Sequence, residues 1–246
     1  MIGKETLEKL DLYTMEYQTD TPFPHIVIDN FLDVGVCHEL QKESYYISSN
    51  VSEQWRFVKT YDGVYDEHDN QILKRQIHDP SQMLPVMKSA MLYFNSKEFI
   101  NILEKITGFK NLIGDPNYIG GGYHQTANGG KLGIHHDFNN QFINGKKVYR
   151  QVNLLLYLNP SWNVSWGGEL ELWNRDMSGC AKKVLPKSNR VVIFSIDGAP
   201  HGHPEPLKCP ADIHRKSMAF YYYNEEEPKF PLINRAHWKQ ELENMV

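Results

Sequence analysis

His135-His136-Asp137 is the one His-x-Asp in the sequence, and its outer residues are of types that hold a transition-metal ion. On an extended strand residues i and i+2 project to the same face, so His135 and Asp137 can grip one ion while His136 points away. A third ligand has to come from elsewhere, and Ala199-Pro200-His201-Gly202-His203 supplies two candidates, His201 and His203. These two share a face if the backbone there is extended, so spacing alone does not choose between them. Two imidazoles and a carboxylate on one face of an octahedral ion leave positions open for substrate and dioxygen, the ligand set of non-haem iron(II) oxygenases. The His-Glu-x-x-His helix of a zinc hydrolase is absent.

Among 11 histidines a lone His-x-Asp is a weak signal, and a strand histidine beside a turn carboxylate is its ordinary reading. It gains weight from Arg215-Lys216-Ser217, which opens the apolar run Met218 to Tyr223. Arg215 and Ser217 share a strand face, and a guanidinium fork beside a hydroxyl is shaped to bind a carboxylate through two hydrogen bonds. The distal carboxylate of 2-oxoglutarate would present that group. A solvated basic turn is the alternative reading of His214-Arg215-Lys216, and the order His-x-Asp, His, Arg-x-Ser along one half of the chain weighs against it.

The elements that must position these groups follow from local pattern. Helices are predicted over Asp33 to Ser49, Gln82 to Asn95 and Ser96 to Thr107, the last with Ser96 as N-cap and a stop at Gly108. Short runs rich in β-branched and aromatic residues predict strands at Tyr118–Thr126, Gly133–Phe138, Gln151–Leu158, Gly168–Trp173, Arg190–Ile196 and Ser217–Tyr223. Pro24–Ile28 is an early outlier. The pattern predicts an α+β, mainly β fold, a jelly roll or sandwich with N-terminal helices packed on one sheet. The expected division is helical support and first strands over 1–117, a jelly-roll core over 118–226 and a C-terminal extension over 227–246. Trp55 to Asp79, polar yet aromatic, is expected to be a lid over the site or a plain surface loop.

Composition narrows the class. With 41% hydrophobic and 23% charged residues the 246-residue chain matches an ordinary globular protein, and its apolar runs are too short to span a bilayer. Met1 to Tyr17 lacks the apolar stretch of a secretory signal, so a cytoplasmic location is expected. Cys37, Cys180 and Cys209 fit no disulfide framework or zinc finger, and free buried thiols are expected. A net charge of −4 with only short basic clusters argues against a nucleic-acid partner.

The residues from Gly120 to Tyr223 resemble the prolyl-4-hydroxylase-like branch of the iron(II)/2-oxoglutarate dioxygenases, which includes the oxygen-sensing prolyl hydroxylases. The resemblance runs through Arg150 to Asn159, Trp166-Gly167-Gly168-Glu169-Leu170, Pro186 to Phe194 and Pro200-His201, and Pro22 to Leu32 resembles the family's first strand and turn. It implies a double-stranded β-helix in which His135, Asp137 and His201 bind iron(II). It also implies that Arg215 pairs with the C5 carboxylate of 2-oxoglutarate, supported by Tyr157, that Leu170 lines the co-substrate pocket, and that Tyr123 contacts the co-substrate. Ascorbate is a further cofactor consistent with it. The stretch from His201 to Arg215 is longer than the family commonly shows. Glu205 to Ile213 is therefore expected to loop out near the entrance, and Lys216 is a rival to Arg215. His203 is left with a supporting, substrate-facing or surface role, and His124, His68 and His78 are read as structural or exposed.

The activity so implied is hydroxylation of an aliphatic C–H, since Asp137 fills the coordination position that a halide would need. The branch implies a prolyl residue in a protein or peptide as substrate. A free amino acid or other small molecule, or a non-catalytic jelly-roll binding module, are the alternatives, and a cupin-like metalloenzyme would have no need of Arg215 and Ser217.

Overall fold

Along the apolar runs, alternate residues face two different neighbours, and this decides both the strands and the layers. The structure, a computed structural model, describes residues 1–49, 56–57, 71–232 and 236–239. The first half contains α1 (Lys4–Glu8), α2 (Leu10–Thr19), β1 (His25–Ile28), α3 (Val34–Ser49), β2 (Arg56–Phe57), β3 (Gln71–Ile77), α4 (Pro85–Phe94) and α5 (Lys97–Thr107). The second contains β4 (Ile113–Gly114), β5 (Gly122–His136), β6 (Asn140–Ile143), β7 (Lys146–Tyr157), β8 (Leu170–Trp173), β9 (Cys180–Val184), β10 (Arg190–Ser195), β11 (His201–His203), β12 (Arg215–Asn224) and β13 (His237–Trp238).

Hydrogen bonding runs in the order β1-β10-β7-β12-β5-β11-β8-β9, with β3 also paired to β5. The long β5 belongs to two sheets. Up to Thr126 it pairs with β12, and from Leu132 onward it pairs with β11. The chain turns the corner between them at Gly130, where a Cβ would sit 2.5 Å from the Thr126 methyl and 2.9 Å from two backbone oxygens, those of Ala127 and Ile72. Two facing antiparallel sheets joined in this way form a double-stranded β-helix, or jelly roll.

The helices cover the outer face of the larger sheet. Val152, Leu154 and Leu156 of β7, Met218, Phe220 and Tyr222 of β12, and Val191 and Ile193 of β10 point to that side. There they meet Leu40 of α3, Met87, Met91 and Phe94 of α4, and Phe99, Leu103 and Ile106 of α5. Phe94 lies at the centre, with ring centroids 4.5 Å from Phe220 and 4.7 Å from Phe99. Burying each such side chain is worth roughly 1.5–3 kcal/mol, which fixes the helices to the sheet and the strand faces with them. The intervening residues, among them Tyr157, Val192 and Phe194, face the opposite sheet and pack with Leu170 and Leu172.

Several boundaries differ from the sequence expectation. β5 is one strand where two were expected, and Tyr118 lies before it in a left-handed turn with φ of 50°. β12 begins at Arg215, two residues before Ser217, and β11 was not foreseen because three residues give no periodicity. α1 and α2 were also unforeseen, since Leu7, Leu12 and Met15 are exposed and leave no apolar stripe to read. β1 and β3 from the first 117 residues, and β13 from the C-terminal segment, pair into the same sheets as the jelly-roll core. Of the stretch read as a lid or loop, residues 71–77 are β3 and 56–57 are β2, which pair with each other, while 55 and 58–70 lie outside the described residues. His68 lies outside them as well. All three cysteines are free, Cys37 and Cys209 buried and Cys180 half-buried. No described helix is long and apolar enough to cross a membrane.

Candidate active site

The second half of β5 and the short β11 run antiparallel with His201 opposite His135, and their rings are 4.7 Å apart between centroids. The close approach depends on Gly202, where a Cβ would lie 2.4 Å from the Gly133 oxygen and 2.7 Å from the Leu132 oxygen. Asp137 follows directly after β5. The ligand atoms of His135, Asp137 and His201 all lie within 4.8 Å of one another. His135 Nε2 is 3.3 Å from Asp137 Oδ1, and His201 Nε2 is 3.5 Å from Asp137 Oδ2. His136 turns the other way and stacks on Phe230, with centroids 4.5 Å apart.

The tautomers follow from the backbone. His135 Nδ1 is 2.8 Å from the Gly133 carbonyl oxygen and His201 Nδ1 is 3.0 Å from that of Ala199. A carbonyl oxygen only accepts, so in each neutral ring Nδ1 carries the hydrogen and Nε2 presents its lone pair. Two lone pairs and a carboxylate therefore converge, a donor set that a divalent cation stabilises and that suits iron(II). Burial alone would raise the Asp137 pKa, but the Arg150 guanidinium, with His201 and His135, holds it well below the usual carboxylate range. The carboxylate is thus ionised and ready to bind a metal.

Asp137 is held from behind. Asn153 Nδ2 donates to Asp137 Oδ2 at 2.8 Å, and Arg150 Nη1 is 3.3 Å from the same oxygen. Arg150 is fully buried, 3.4 Å from the centre of the Tyr221 ring and 4.5 Å from that of Phe138. Arg150 and Asn153 are three residues apart and in a regular strand would face opposite sides. A register shift opposite Tyr222 and Tyr223 brings both to Asp137. Sequence reasoning assigned no role to either residue, because the bulge breaks the period of two it relies on.

The residues expected to bind a carboxylate lie beside the first half of β5, on its neighbouring strands. Arg215 Nε donates to the Gly168 oxygen at 2.7 Å, and Nη2 donates to Tyr157 Oη at 3.3 Å. Ser217 sits in register between Tyr157 on β7 and His124 on β5. Lys216 points the opposite way, its ammonium 5.9 Å from the centre of the Tyr45 ring on α3, so the rival to Arg215 is outside this pocket. Leu170 packs in the inner cluster with Tyr157. Tyr123 is a correction. It lies opposite Met218 on the helix-covered face and its hydroxyl is 2.6 Å from Ser44 Oγ of α3, so it does not line the pocket. His124, read as structural or exposed, is buried and lies on the inner face. His203 is buried, outside the three-residue metal set, and its Nδ1 has no hydrogen-bond partner among the described residues. Glu205 to Ile213 forms no helix or strand, and within it Leu207 is buried and exchanges backbone hydrogen bonds with Gly129 and Gly130 at the corner of β5.

Residues 121–223 match the 2OG-Fe(II) oxygenase superfamily, a span that contains the three metal-binding candidates and Arg215. That stretch, 103 of the 246 residues, is similar in sequence to the iron(II)- and 2-oxoglutarate-dependent oxygenases. The oxygenase fold extends beyond that span. A prolyl hydroxylase from Trichoplax adhaerens, solved with a hypoxia inducible factor oxygen degradation domain peptide fragment, is similar at 18% identity and a TM-score of 0.65, covering 91% of this chain and 94% of that one. A prolyl-4-hydroxylase from Pseudomonas putida is similar at 17% identity and a TM-score of 0.58, covering 89% of this chain and 100% of that one. A curated relative, the replication gene A protein of Escherichia phage 186, is 23% identical over 218 residues, which cover 82% of this chain. The chain spans only 27% of the length of that relative.

Burial of His136 and His201 makes a prediction about pH. Burial, as the largest cause, lowers the pKa of His136 and of His201 to about 4. In the unfolded chain both titrate near 6.5, so between those values the unfolded state binds more protons. The stability they protect is present above pH 6.5 and is lost as pH falls towards about 4, by at most about 1.4 kcal/mol per pH unit for each ring. Chelator-treated protein should therefore melt at progressively lower temperature from pH 6.5 to 4. A melting temperature constant over that interval would contradict the assignment.

Proposed function

We propose that the protein is a dioxygenase that uses iron(II), 2-oxoglutarate and dioxygen to hydroxylate an aliphatic C–H, with a prolyl residue of a protein or peptide as its first substrate class. The observation that carries this reading is the presence of two sites on strands that both pair with β5. A His135, Asp137, His201 donor set lies on one strand pair, and a buried Arg215 backed by Tyr157 lies on the next. When bound, iron(II) supplies the centre where dioxygen oxidises 2-oxoglutarate to succinate and carbon dioxide and one oxygen atom passes to the substrate.

The chain's own residues bind and orient. His135, Asp137 and His201 would hold the metal, with Arg150 and Asn153 keeping the Asp137 carboxylate ionised and aimed. Arg215 and Tyr157 would hold the distal carboxylate, Ser217 would stand beside it, and Leu170 would help to keep that end of the mouth dry. The prolyl reading is supported by the likeness of fold to two prolyl hydroxylases, and hydroxylation of a small molecule uses the same machinery. The test is anaerobic titration of the iron(II)-loaded protein with 2-oxoglutarate, followed by a mass-shift screen of prolyl peptides and free amino acids. Saturable binding, succinate release and a gain of one oxygen on a prolyl peptide are expected. Absence of iron-dependent succinate formation would return the protein to the class of binding modules.

A further inference from the structure

The inner face of the larger sheet carries a second cation that the site as described leaves unused. β3, β5 and β12 lie side by side, and their register sets Lys74 opposite Thr126 and Thr126 opposite Arg215 in one row across three strands. The neighbouring row on the same face is Gln76, His124, Ser217 and Tyr157. Strands spaced about 4.8 Å apart place the Lys74 and Arg215 backbones roughly 10 Å from each other, within convergence range of two long side chains.

Electrostatics agree with that convergence. The charges of Asp137 and Arg215 both reach the Lys74 amine, Asp137 the more strongly, while loss of hydration pushes the amine down to about 8. His124 is pressed well below the usual histidine range, first by burial and then by Lys74. No acidic side chain other than Asp137 acts on Lys74 among the described residues, and Asp137 is already matched by Arg150. The hydrogen bond that Lys74 Nζ donates to Gln71 Oε1 is long, at 3.4 Å. Two cations over a floor of hydroxyls and the neutral His124 imidazole suit a small dianion.

We propose that Lys74 is a second cationic anchor for the dicarboxylate co-substrate, holding its oxo-acid end near Asp137 while Arg215 holds the distal carboxylate. This rests on the reading of 2-oxoglutarate as co-substrate. Lys74 then fixes the ligand from β3, the strand on the far side of β5 from Arg215.

Manganese(II)-loaded protein titrated calorimetrically with 2-oxoglutarate, and with pyruvate as a probe lacking the distal carboxylate, tests the assignment. Lys74→Met should weaken both ligands by about 10-fold or more, the loss of a hydrogen bond to a charged group, with manganese binding and melting temperature kept. Lys74→Arg should recover part of the affinity, and Lys74→Gln replaces Lys74→Met if the latter does not fold. Unchanged 2-oxoglutarate affinity in Lys74→Met overturns the proposal, and so does loss of 2-oxoglutarate binding with pyruvate binding intact. Failure of the unaltered protein to bind 2-oxoglutarate would instead sink the dioxygenase reading, before any Lys74 variant is measured.

Discussion

Replacing His201 by alanine is expected to lower iron(II) affinity by more than about 100-fold and abolish succinate formation, and His135→Ala should do the same. Groups outside the ligand shell alone typically contribute 10–100-fold to metal affinity, so a ligand in a three-residue set contributes more. Asp137→Ala should remove iron and also destabilise the fold. It leaves Arg150 buried beside no carboxylate, and breaking a buried pair in that way costs about 3–5 kcal/mol. His203→Ala is the control and should keep the metal, because His203 lies outside the set of converging ligand atoms. Equilibrium dialysis with iron(II) under argon, paired with thermal melting, separates loss of metal from loss of fold. If His203→Ala loses the metal and His201→Ala keeps it, the assignment of the third ligand is wrong.

The choice between His201 and His203 shows where sequence reasoning stops and why. An ideal strand puts both on one face. In the structure His201 stands opposite His135 but His203 stands opposite Leu132, so β5 advances three residues while β11 advances two. That irregularity carries His203 away from Asp137, and nothing in a list of residue types announces it. His135 and Asp137 were legible because they lie close together in one local pattern. Arg215 and Ser217 were legible for the same reason on β12.

Tyr123, which the resemblance alone placed at the co-substrate, shows that counting along a strand would not have corrected it. Counted from His135 by twos, it falls on the metal side, yet between them β5 turns a corner at Gly130 and slips register, and Tyr123 ends facing α3. Its neighbour His124 takes the inner face. Lys74 was invisible for a different reason. Gln71-Ile72-Leu73-Lys74-Arg75-Gln76-Ile77 does not alternate, and Leu73 adopts a left-handed φ of 50° where β3 is irregular. The strand exists because β5 offers it an edge, which is a tertiary cause. The helices α3, α4 and α5 were legible from pattern and caps, and Ser96 accepts its hydrogen bond from the Phe99 amide.

Arg215→Ala should weaken 2-oxoglutarate binding by roughly 30-fold or more while leaving iron(II) binding nearly unchanged. Arg215 is buried and its Nε and Nη2 are fixed by the Gly168 oxygen and the Tyr157 hydroxyl, which pre-orients the guanidinium towards the mouth. Removing one partner of a buried charge-assisted pair costs about 2–5 kcal/mol, while no metal ligand is touched. Tyr157→Phe should cost less, since it removes a neutral hydroxyl and leaves the ring beneath the guanidinium, 5.0 Å from its centre. Lys216→Ala should leave 2-oxoglutarate affinity near its original value, because Lys216 lies over Tyr45 on the helix-covered face. Anaerobic titrations of the iron(II)-loaded variants decide the matter. A large loss with Lys216→Ala and a mild one with Arg215→Ala would mean that β12 is misregistered by one residue, and the carboxylate site would have to be moved to the other face of the sheet.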